Sequence, residues 1–593
     1  MIEKIELILS IWAQKHRLAL WILLLLLTAT ILLTPFELPY EYHVIAGTHV
    51  FGTMLPFFGA VYYTWFAVLL LLLFSGGRNS EWQRIALVCL FALAFFGIWV
   101  INTPNGQGCD VVMHMGHVNY ILNTGRIVFG NPNVGYFEAP TLHLHNAALS
   151  LVSGMGVFET KSLYLLFSGV FQAALLYLLF SKLLKNSYLA SIAVLVAIQG
   201  GFMTSSQGYW PGNISHLLFI TILVGLLVWR GNTVLPMLPL AALPMSVLFM
   251  SFAMSYSATP LYFAFILVGI YLVQRVAKKR VVNILIICLF VVMFLLWQMN
   301  MAFTRFEGLS ELLPQIFKGF LNPEEIFSRV LAPGQTYLGG STPLWASVVR
   351  LFWLVLAVGV GSGLTIWNLA KAKKLDSTGV FVTGAILGAA GLSILCALAI
   401  PLSQGAQWGR FLWVAPLFTV PLMLKFLSGF STSGWFGRHI LTLLIISLFV
   451  VSLPTFLIQH HEILTDTIRS YERSALEFSL SAYGDNEDLS IGSTHETVVI
   501  YSGFFPQANL YRAERPRHIH SRETLYYTMN KLVDDFEFST ARTNIFVLGQ
   551  RFSPPHPHPL AIQPSDPRWV EFVHRFDKSD KAYNNGHVEI FQR

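Results

Sequence analysis

An acidic residue and two histidines stand at helical spacing in the segment CDVVMHMGHVNYIL. On a helix that begins at Asp110, His114 follows at i+4 and His117 at i+7, so the carboxylate and both imidazoles share one face. A carboxylate beside an imidazole can act as a general base, and Asp110 with His114 or His117 could also bind a divalent metal such as Mg²⁺ or Mn²⁺. The plain alternative is that Asp110 caps a surface helix and does no chemistry.

A single arginine stands at one end of an otherwise uncharged apolar run, in QGAQWGRFLWVAP. An ionisable side chain at that depth is costly, so Arg410 is expected to have a partner or a ligand. A guanidinium suits a phosphate because its fork donates two hydrogen bonds and stays charged. The alternatives are an arginine that reaches the lipid headgroups or one that pairs with Asp110.

Five further residues are weaker candidates for the same site. His143 and His145 in PTLHLHN could share one metal ion only in an extended segment, because residues two apart on a helix face opposite sides. We expect one of them to line a cavity and the other to be structural. Glu138 is a second candidate acid, Arg305 could reach the site or form an exposed salt bridge, and Tyr209 fits an interfacial aromatic belt.

The composition places these residues in a membrane protein. Of the 593 residues, 54% are hydrophobic and only 12% are charged, whereas soluble domains carry about 25% charged residues. The net charge of +7 comes from short basic clusters between apolar runs, which indicates membrane topology and no nucleic-acid partner. Four cysteines without CxxC spacing predict neither a disulfide framework nor a structural zinc site.

Apolar runs long enough to cross a bilayer predict about thirteen transmembrane helices. With a cytoplasmic N-terminus, alternation places the basic clusters inside, as the positive-inside rule requires. The candidate residues then lie on the outer face, mainly in two long outer loops at residues 102–161 and 303–343 of a membrane domain that spans 1–459. Residues 460–593 would form a small α/β domain outside the membrane, because strand-like and helix-like patterns replace the apolar runs.

This arrangement resembles the GT-C class of membrane glycosyltransferases. The resemblance lies in the order of an apolar span, an outer loop with Asp110 before His114 on a helix that ends near Gly125, and then the segment from Tyr136 to Leu151. The closing KAYNNGHVEIFQR also looks like the last strand pair of such proteins. One departure is that the family's acid usually lies in the first outer loop. In this chain Asp110 lies in the second outer loop, which two extra N-terminal helices before the common module would explain. The alternative is that the glutamates of FELPYEYH, in the first outer loop, are the acids.

The resemblance implies transfer of a sugar from a polyprenyl phosphate or diphosphate to an acceptor glycan, lipid or protein at the outer face. Asp110 would be the base, His114 would orient it, and Arg410 would hold the donor phosphate. His117, Glu138, His143, Arg305 and Tyr209 would bind substrate, Tyr209 by stacking on a sugar ring. Beyond the divalent metal, no cofactor is expected, and the expected location is a prokaryotic plasma membrane.

Other function classes stay open from the sequence alone. A transporter or flippase would have as many spans and should show inverted repeats and broken helices, of which a proline-rich apolar run at residues 234–252 is the best indication. An O-antigen ligase or polymerase would use similar lipid-linked sugars. A membrane scaffold with an outer recognition domain is the non-enzymatic alternative. Asp110 and Arg410 meeting in one outward-facing cavity would favour the transferase.

Overall fold

The computed structural model describes residues 11–34, 55–74, 80–102, 108–127, 139–200, 209–229, 238–256, 258–302, 314, 344–399, 414–429, 434–464, 491–493, 545–549, 580–584 and 588–592. Most of these residues are helical. The first helices in chain order are α1 (Arg17–Leu33), α2 (Leu55–Phe74), α3 (Glu81–Asn102), α4 (Gly108–Thr124), α5 (Thr141–Ser153), α6 (Val157–Leu184), α7 (Ser187–Gln199) and α8 (Pro211–Trp229). They are followed by α9 (Leu238–Ala253), α10 (Ala258–Ala277), α11 (Ile284–Asn300), α12 (Leu344–Trp353), α13 (Val360–Ala370), α14 (Ser377–Ala399), α15 (Pro416–Gly429) and α16 (Gly434–Leu464).

Long apolar helices make this chain an integral membrane protein. Within the described residues, eight helices are long and apolar enough to cross a membrane: Leu55–Phe74, Glu81–Ile98, Val157–Leu184, Pro211–Val228, Ala258–Ala277, Leu351–Ala370, Ser377–Cys396 and His439–Ile458. Five shorter apolar helices, Arg17–Leu33, Ser187–Gln199, Pro244–Ala253, Ile284–Asn300 and Pro416–Gly429, lie where further spans are predicted. The total of thirteen stays a prediction. One span contains a π-helical turn, Leu354–Gly359, between α12 and α13.

Aromatic side chains hold the first spans against the last one. Trp65 of α2 stacks on Phe91 of α3 at 5.6 Å between ring centroids, and its indole N–H donates to Thr28 Oγ1 of α1 at 3.0 Å. Phe456 of α16 packs against Tyr62 of α2 at 5.4 Å. Fully buried aromatic rings supply much of the contact area in such an interface.

Glycines bring α10 and α14 into backbone contact. A Cβ at Gly388 would overlap the Phe265 carbonyl, and one at Gly384 would overlap the Ile270 backbone. Position 384 lies beside 270 and position 388 beside 265, so the two helices run antiparallel. Small residues at a membrane interface allow this close approach, which gives dispersion contacts that lipid would otherwise supply.

The described part of the tail forms one four-stranded sheet. Its strands are β1 (Ile491–Ser493), β2 (Ile545–Gly549), β3 (Asp580–Asn584) and β4 (Val588–Gln592), in the order β1-β2-β4-β3. β2 falls in the predicted strand TNIFVLG, and β3 and β4 are the predicted terminal strand pair, antiparallel from Asp580 opposite Gln592 to Asn584 opposite Glu589. β1 pairs in parallel with β2. The predicted strand TVVIYSGFF and the predicted helix ETLYYTMNKLVDDF lie outside the described residues, so the α/β domain stays a prediction.

Candidate functional site

Two helices between the spans α3 and α6 bring three histidines together. His114 Nδ1 of α4 lies 3.0 Å from His143 Nε2 of α5, a hydrogen-bonding distance. The ring of His117 stacks on that of His143 with 5.1 Å between centroids, and the rings of His114 and His117 are 6.4 Å apart. We call these three residues the histidine cluster.

The cluster is buried, so a surface helix with a solvated polar face, the plain alternative from the sequence, does not describe these three residues. His114 is 1% exposed, His117 is 8% exposed and His143 is 0% exposed. Around them, Met115 and Val118 of α4 pack with residues of α5 and of the first turns of α6 and α8 in one apolar cluster. Imidazoles held in an apolar, protected setting can be tuned for proton transfer, whereas a solvated helix face cannot do this.

Asp110 lies in the first turn of α4. The helix begins at Gly108, two residues before the predicted start, so Asp110 is inside the helix and not at its cap. This position keeps it one helical turn before His114, as the spacing predicts. Its side chain lies outside what the structure describes, as do Glu138, Arg305 and Arg410 altogether. Their roles stay predictions.

The two histidines of PTLHLHN separate as a helix requires. Because the segment is part of α5, His143 faces the cluster, whereas His145 is exposed on one side and stands against the Tyr164 ring at 5.6 Å. The extended conformation needed for a shared metal ion is therefore absent at these two positions. Partial burial of the His145 ring removes water from it and lowers its pKa from the ordinary value of 6.5.

Tyr209 is a packing residue in this arrangement. Its ring is 0% exposed and meets the Tyr164 ring edge-on at 6.0 Å. The prediction that Tyr209 belongs to the interfacial aromatic belt is therefore wrong. Stacking on a sugar would require the ring to become exposed. Burial raises the pKa of Tyr209 well above 10, so the hydroxyl stays neutral.

A polar stripe on α6 escaped the sequence reasoning. Lys161, Tyr164, Ser168 and Gln172 recur at three- and four-residue spacing, so they share one face of a membrane-spanning helix. All four are buried, and Lys161 is only 1% exposed. Polar residues at helical spacing inside an apolar run are the sign that could have revealed this stripe.

The partner of the stripe is Asn213 on α8, the first residue of the sequon Asn213-Ile214-Ser215. Asn213 is 0% exposed, and its amide bonds to Tyr164, Gln172 and Ser168. A buried asparagine engaged in three hydrogen bonds is not a glycosylation site, as its position at the mouth of a span also predicts.

The described residues do not fit a metal centre. No group of three histidine, cysteine, aspartate or glutamate residues with metal-ligand geometry occurs among them. The His114 to His143 contact also engages one ring nitrogen on each residue, and imidazole is a poor ligand for Mg²⁺. We therefore derive no step through a metal ion.

The span α6 has three neighbours that matter for the candidate site. Both α4 and α5 pack against α6, and so does α15. Arg410 precedes the first residue of α15, Pro416, by six positions. The helix that bears Asp110 and the helix that follows Arg410 are thus neighbours of the same span.

Comparison with known proteins gives a fold and no family. No protein-family model matches this chain, and no curated protein matches it significantly. Among solved structures, it is similar to the Archaeoglobus fulgidus oligosaccharyltransferase tethered to an acceptor peptide with an NVT sequon, at 12% identity and a TM-score of 0.50, over 80% of this chain and 70% of that one. The same enzyme in complex with zinc and sulfate gives 11% identity and a TM-score of 0.46, over 79% and 68%.

The chain has a GT-C fold. The class expected from the sequence is supported at the level of the overall fold. Identity of 12% is too low to transfer a specific family, a donor or an acceptor, because one fold hosts many functions.

Proposed function

We propose that this protein is a GT-C membrane glycosyltransferase that moves a sugar from a polyprenyl phosphate or diphosphate to an acceptor on the outer face of the membrane. The observation that carries the proposal is the histidine cluster. It lies on two helices outside the long spans, one turn from Asp110, in a chain with an oligosaccharyltransferase-like fold.

The reaction needs a base for the acceptor and positive charge for the leaving group. In the proposed step, the Asp110 carboxylate takes the proton of the acceptor hydroxyl, and the acceptor oxygen forms a bond to the anomeric carbon. The bond from that carbon to the phosphate oxygen breaks, and the phosphate leaves with the electron pair. Arg410 would stabilise this charge through two N–H donors.

The paired histidines would determine which ring nitrogens of the site carry a hydrogen. One of the two facing nitrogens, His114 Nδ1 or His143 Nε2, must carry the hydrogen and the other must accept it. The pair therefore couples the tautomers of the two rings, and it disfavours two positive charges side by side. The remaining nitrogen of His114 is then fixed as donor or acceptor toward Asp110 or the acceptor substrate.

The other predicted binding residues complete the proposal. His117 and His143 would bound the acceptor side, and Glu138 and Arg305 would contact the sugar. The donor's prenyl chain would lie among the apolar spans. Because the donor is then already in the membrane, no soluble nucleotide sugar is required. By the positive-inside rule, the N-terminus is cytoplasmic and the C-terminal domain lies outside a prokaryotic plasma membrane.

The test is transfer by the full chain in lipid nanodiscs, with radiolabelled polyprenyl-phosphate sugars and a panel of glycan, lipid and peptide acceptors. We expect Asp110→Asn to abolish transfer while the melting temperature stays close to that of the wild type. His114→Ala should also abolish transfer, with a lower melting temperature because His114 is buried and bonded to His143. The matched control is His16→Gln, an exposed histidine at the start of α1, which should retain full transfer. Undiminished transfer by both variants would remove the assignment.

A transporter or flippase is the second candidate. The observation in its favour is Pro244 inside α9, since interrupted helices line many transport sites. The same nanodisc material separates the two functions. Movement of the lipid-linked sugar across the bilayer without a new glycosidic bond would favour the transporter.

A further inference from the structure

The amide of Asn213 joins α8 to three side chains of α6. Its Oδ1 accepts a hydrogen bond from Tyr164 Oη at 3.0 Å and another from Gln172 Nε2 at 3.3 Å. Its Nδ2 donates to Ser168 Oγ at 3.3 Å. Where water is scarce, few groups compete for these bonds, so they set the rotation and register of α6 against α8.

Tyr164 connects this network to the histidine cluster. Its hydroxyl is held by Asn213, while its ring lies between His145 of α5 and Tyr209 at the entrance to α8, at 5.6 Å and 6.0 Å between centroids. Because the hydroxyl is hydrogen-bonded and the ring contacts two other rings, the Tyr164 side chain has little freedom to turn. His145 is two residues from His143, so the place of Tyr164 bears on the place of His143.

Apolar packing strengthens the same link. Tyr164 and Tyr209 belong to the apolar cluster that includes Leu142 and Ala147 of α5 and Met115 of α4. Leu142 directly precedes His143 and Met115 directly follows His114, while Ala147 lies one helical turn after His143. A shift of the Tyr164 ring would thus be transmitted to both helices that carry the cluster, because close-packed interiors transmit displacement.

We propose that Tyr164 is a positioning residue, whose hydroxyl bond to Asn213 holds α5 at the place where His143 meets His114. The structural part of this inference is independent of the enzyme's activity. The kinetic part rests on the proposed function, in which His114 orients the base.

The first arm measures order in α5 by hydrogen–deuterium exchange of the full chain in nanodiscs. Tyr164→Phe removes the hydroxyl and keeps the ring, so we expect faster exchange in peptides that cover residues 141–153. The matched control is Tyr177→Phe, a fully buried tyrosine on the same helix, about 20 Å further along it. Exchange in α5 that is the same in both variants would overturn the inference, whatever the transfer assay shows.

The second arm separates kcat from KM in the transfer assay. Misplacement of a catalytic group by a fraction of an ångström to 1 Å can cost up to about 10²-fold in rate, so we expect Tyr164→Phe to lower kcat about tenfold or more. KM for donor and acceptor should stay within about twofold, because the residue does not touch substrate. A change in KM alone would contradict positioning.

The two arms fail separately. Faster exchange in α5 together with no transfer by the wild-type chain supports the link between α5 and α6 and rejects the proposed function. Normal exchange together with wild-type transfer rejects the link and leaves the proposed function standing.

Discussion

The pairs α6–α8 and α10–α14 are both long membrane helices in close contact, and they are joined by opposite means. Asn213 joins α8 to α6 through three side-chain hydrogen bonds. Glycines join α10 to α14 with backbone on backbone. The first type of contact is directional and fixes rotation, whereas the second fixes distance and is insensitive to the chemistry of neighbours.

The position of each pair agrees with this difference. The α6–α8 pair packs against α5, and its Tyr164 touches His145 of that helix. The α10–α14 pair packs as a unit in which described contacts are apolar or backbone, apart from a bond between Tyr262 and Ser393 hydroxyls at 2.8 Å. We infer that glycine packing provides scaffold, and that hydrogen bonding is placed where a helix must be held in one orientation.

The largest effect should come from the glycine pair. In Gly388→Ala, the new Cβ overlaps the Phe265 carbonyl, so the helices must separate along their length. Overpacking of this kind costs about 3 kcal/mol or more where backbone has to move. Thermal unfolding in detergent, followed by size-exclusion chromatography, should show a strongly lowered midpoint or loss of the folded peak.

A neighbouring glycine on the same helix supplies the control. A Cβ at Gly391 has no atom within 4 Å, and alanine is favoured over glycine in a helix by roughly 0.5–1 kcal/mol. Gly391→Ala should therefore unfold at the same temperature as the wild type or slightly above it. Equal losses in both variants would mean that the close approach at Gly388 does not set the stability of this pair.

The polar pair should respond less strongly to loss of its central residue. In Asn213→Leu, the groups of Tyr164, Ser168 and Gln172 lose their amide partner, which costs about 1–3 kcal/mol for buried polar groups. The average value for membrane hydrogen bonds, about 0.6 kcal/mol each, lowers the expectation toward the middle of that range. Unfolding in increasing denaturing detergent measures the difference.

Asn300→Leu is the matched control for that substitution. Asn300 is also a helical asparagine that donates a hydrogen bond, to Leu296 O of its own helix at 2.8 Å, but it is exposed. Its replacement should change stability by less than about 0.5 kcal/mol. If Asn213→Leu were equally mild, the distinction between the two helix pairs would lose its energetic basis.

The sequence predicts the membrane region well because hydropathy is a local property. Eight long apolar helices lie where apolar runs predict spans, and α4 lies on the histidine motif with its start two residues early. Residues within one helix also fall as their spacing predicts, as His114 and His117 show. The terminal strand pair is correct for the same reason, since a hairpin is local.

Contacts between distant segments could not be predicted in this way. His114 and His143 are 29 positions apart, and Tyr164 and Asn213 are 49 apart. Spacing along one helix shows which residues share a face, but it contains no information about which other helix that face meets. The burial of the histidine cluster depends on such packing, and this is why the sequence alone left a solvated surface helix open as an alternative.

The smallest effect concerns the stability of the folded protein in acid, and it comes from His145, which stands against Tyr164 of the polar pair. Desolvation lowers the pKa of His145 from 6.5 in the folded protein, so the folded state favours the neutral ring. The unfolded chain binds the proton first as the pH falls, and the stability contributed by the neutral ring is present above about pH 6.5 and lost below it.

The wild type should therefore lose more of its melting temperature between pH 8 and pH 5.5 than His145→Gln does, by a few degrees at most. The matched control for the loss of one exposed histidine is His16→Gln at the start of α1. An identical pH profile for wild type and His145→Gln would show that the ring is solvated when folded, and the contact between α5 and the polar pair would then be weaker than its geometry indicates.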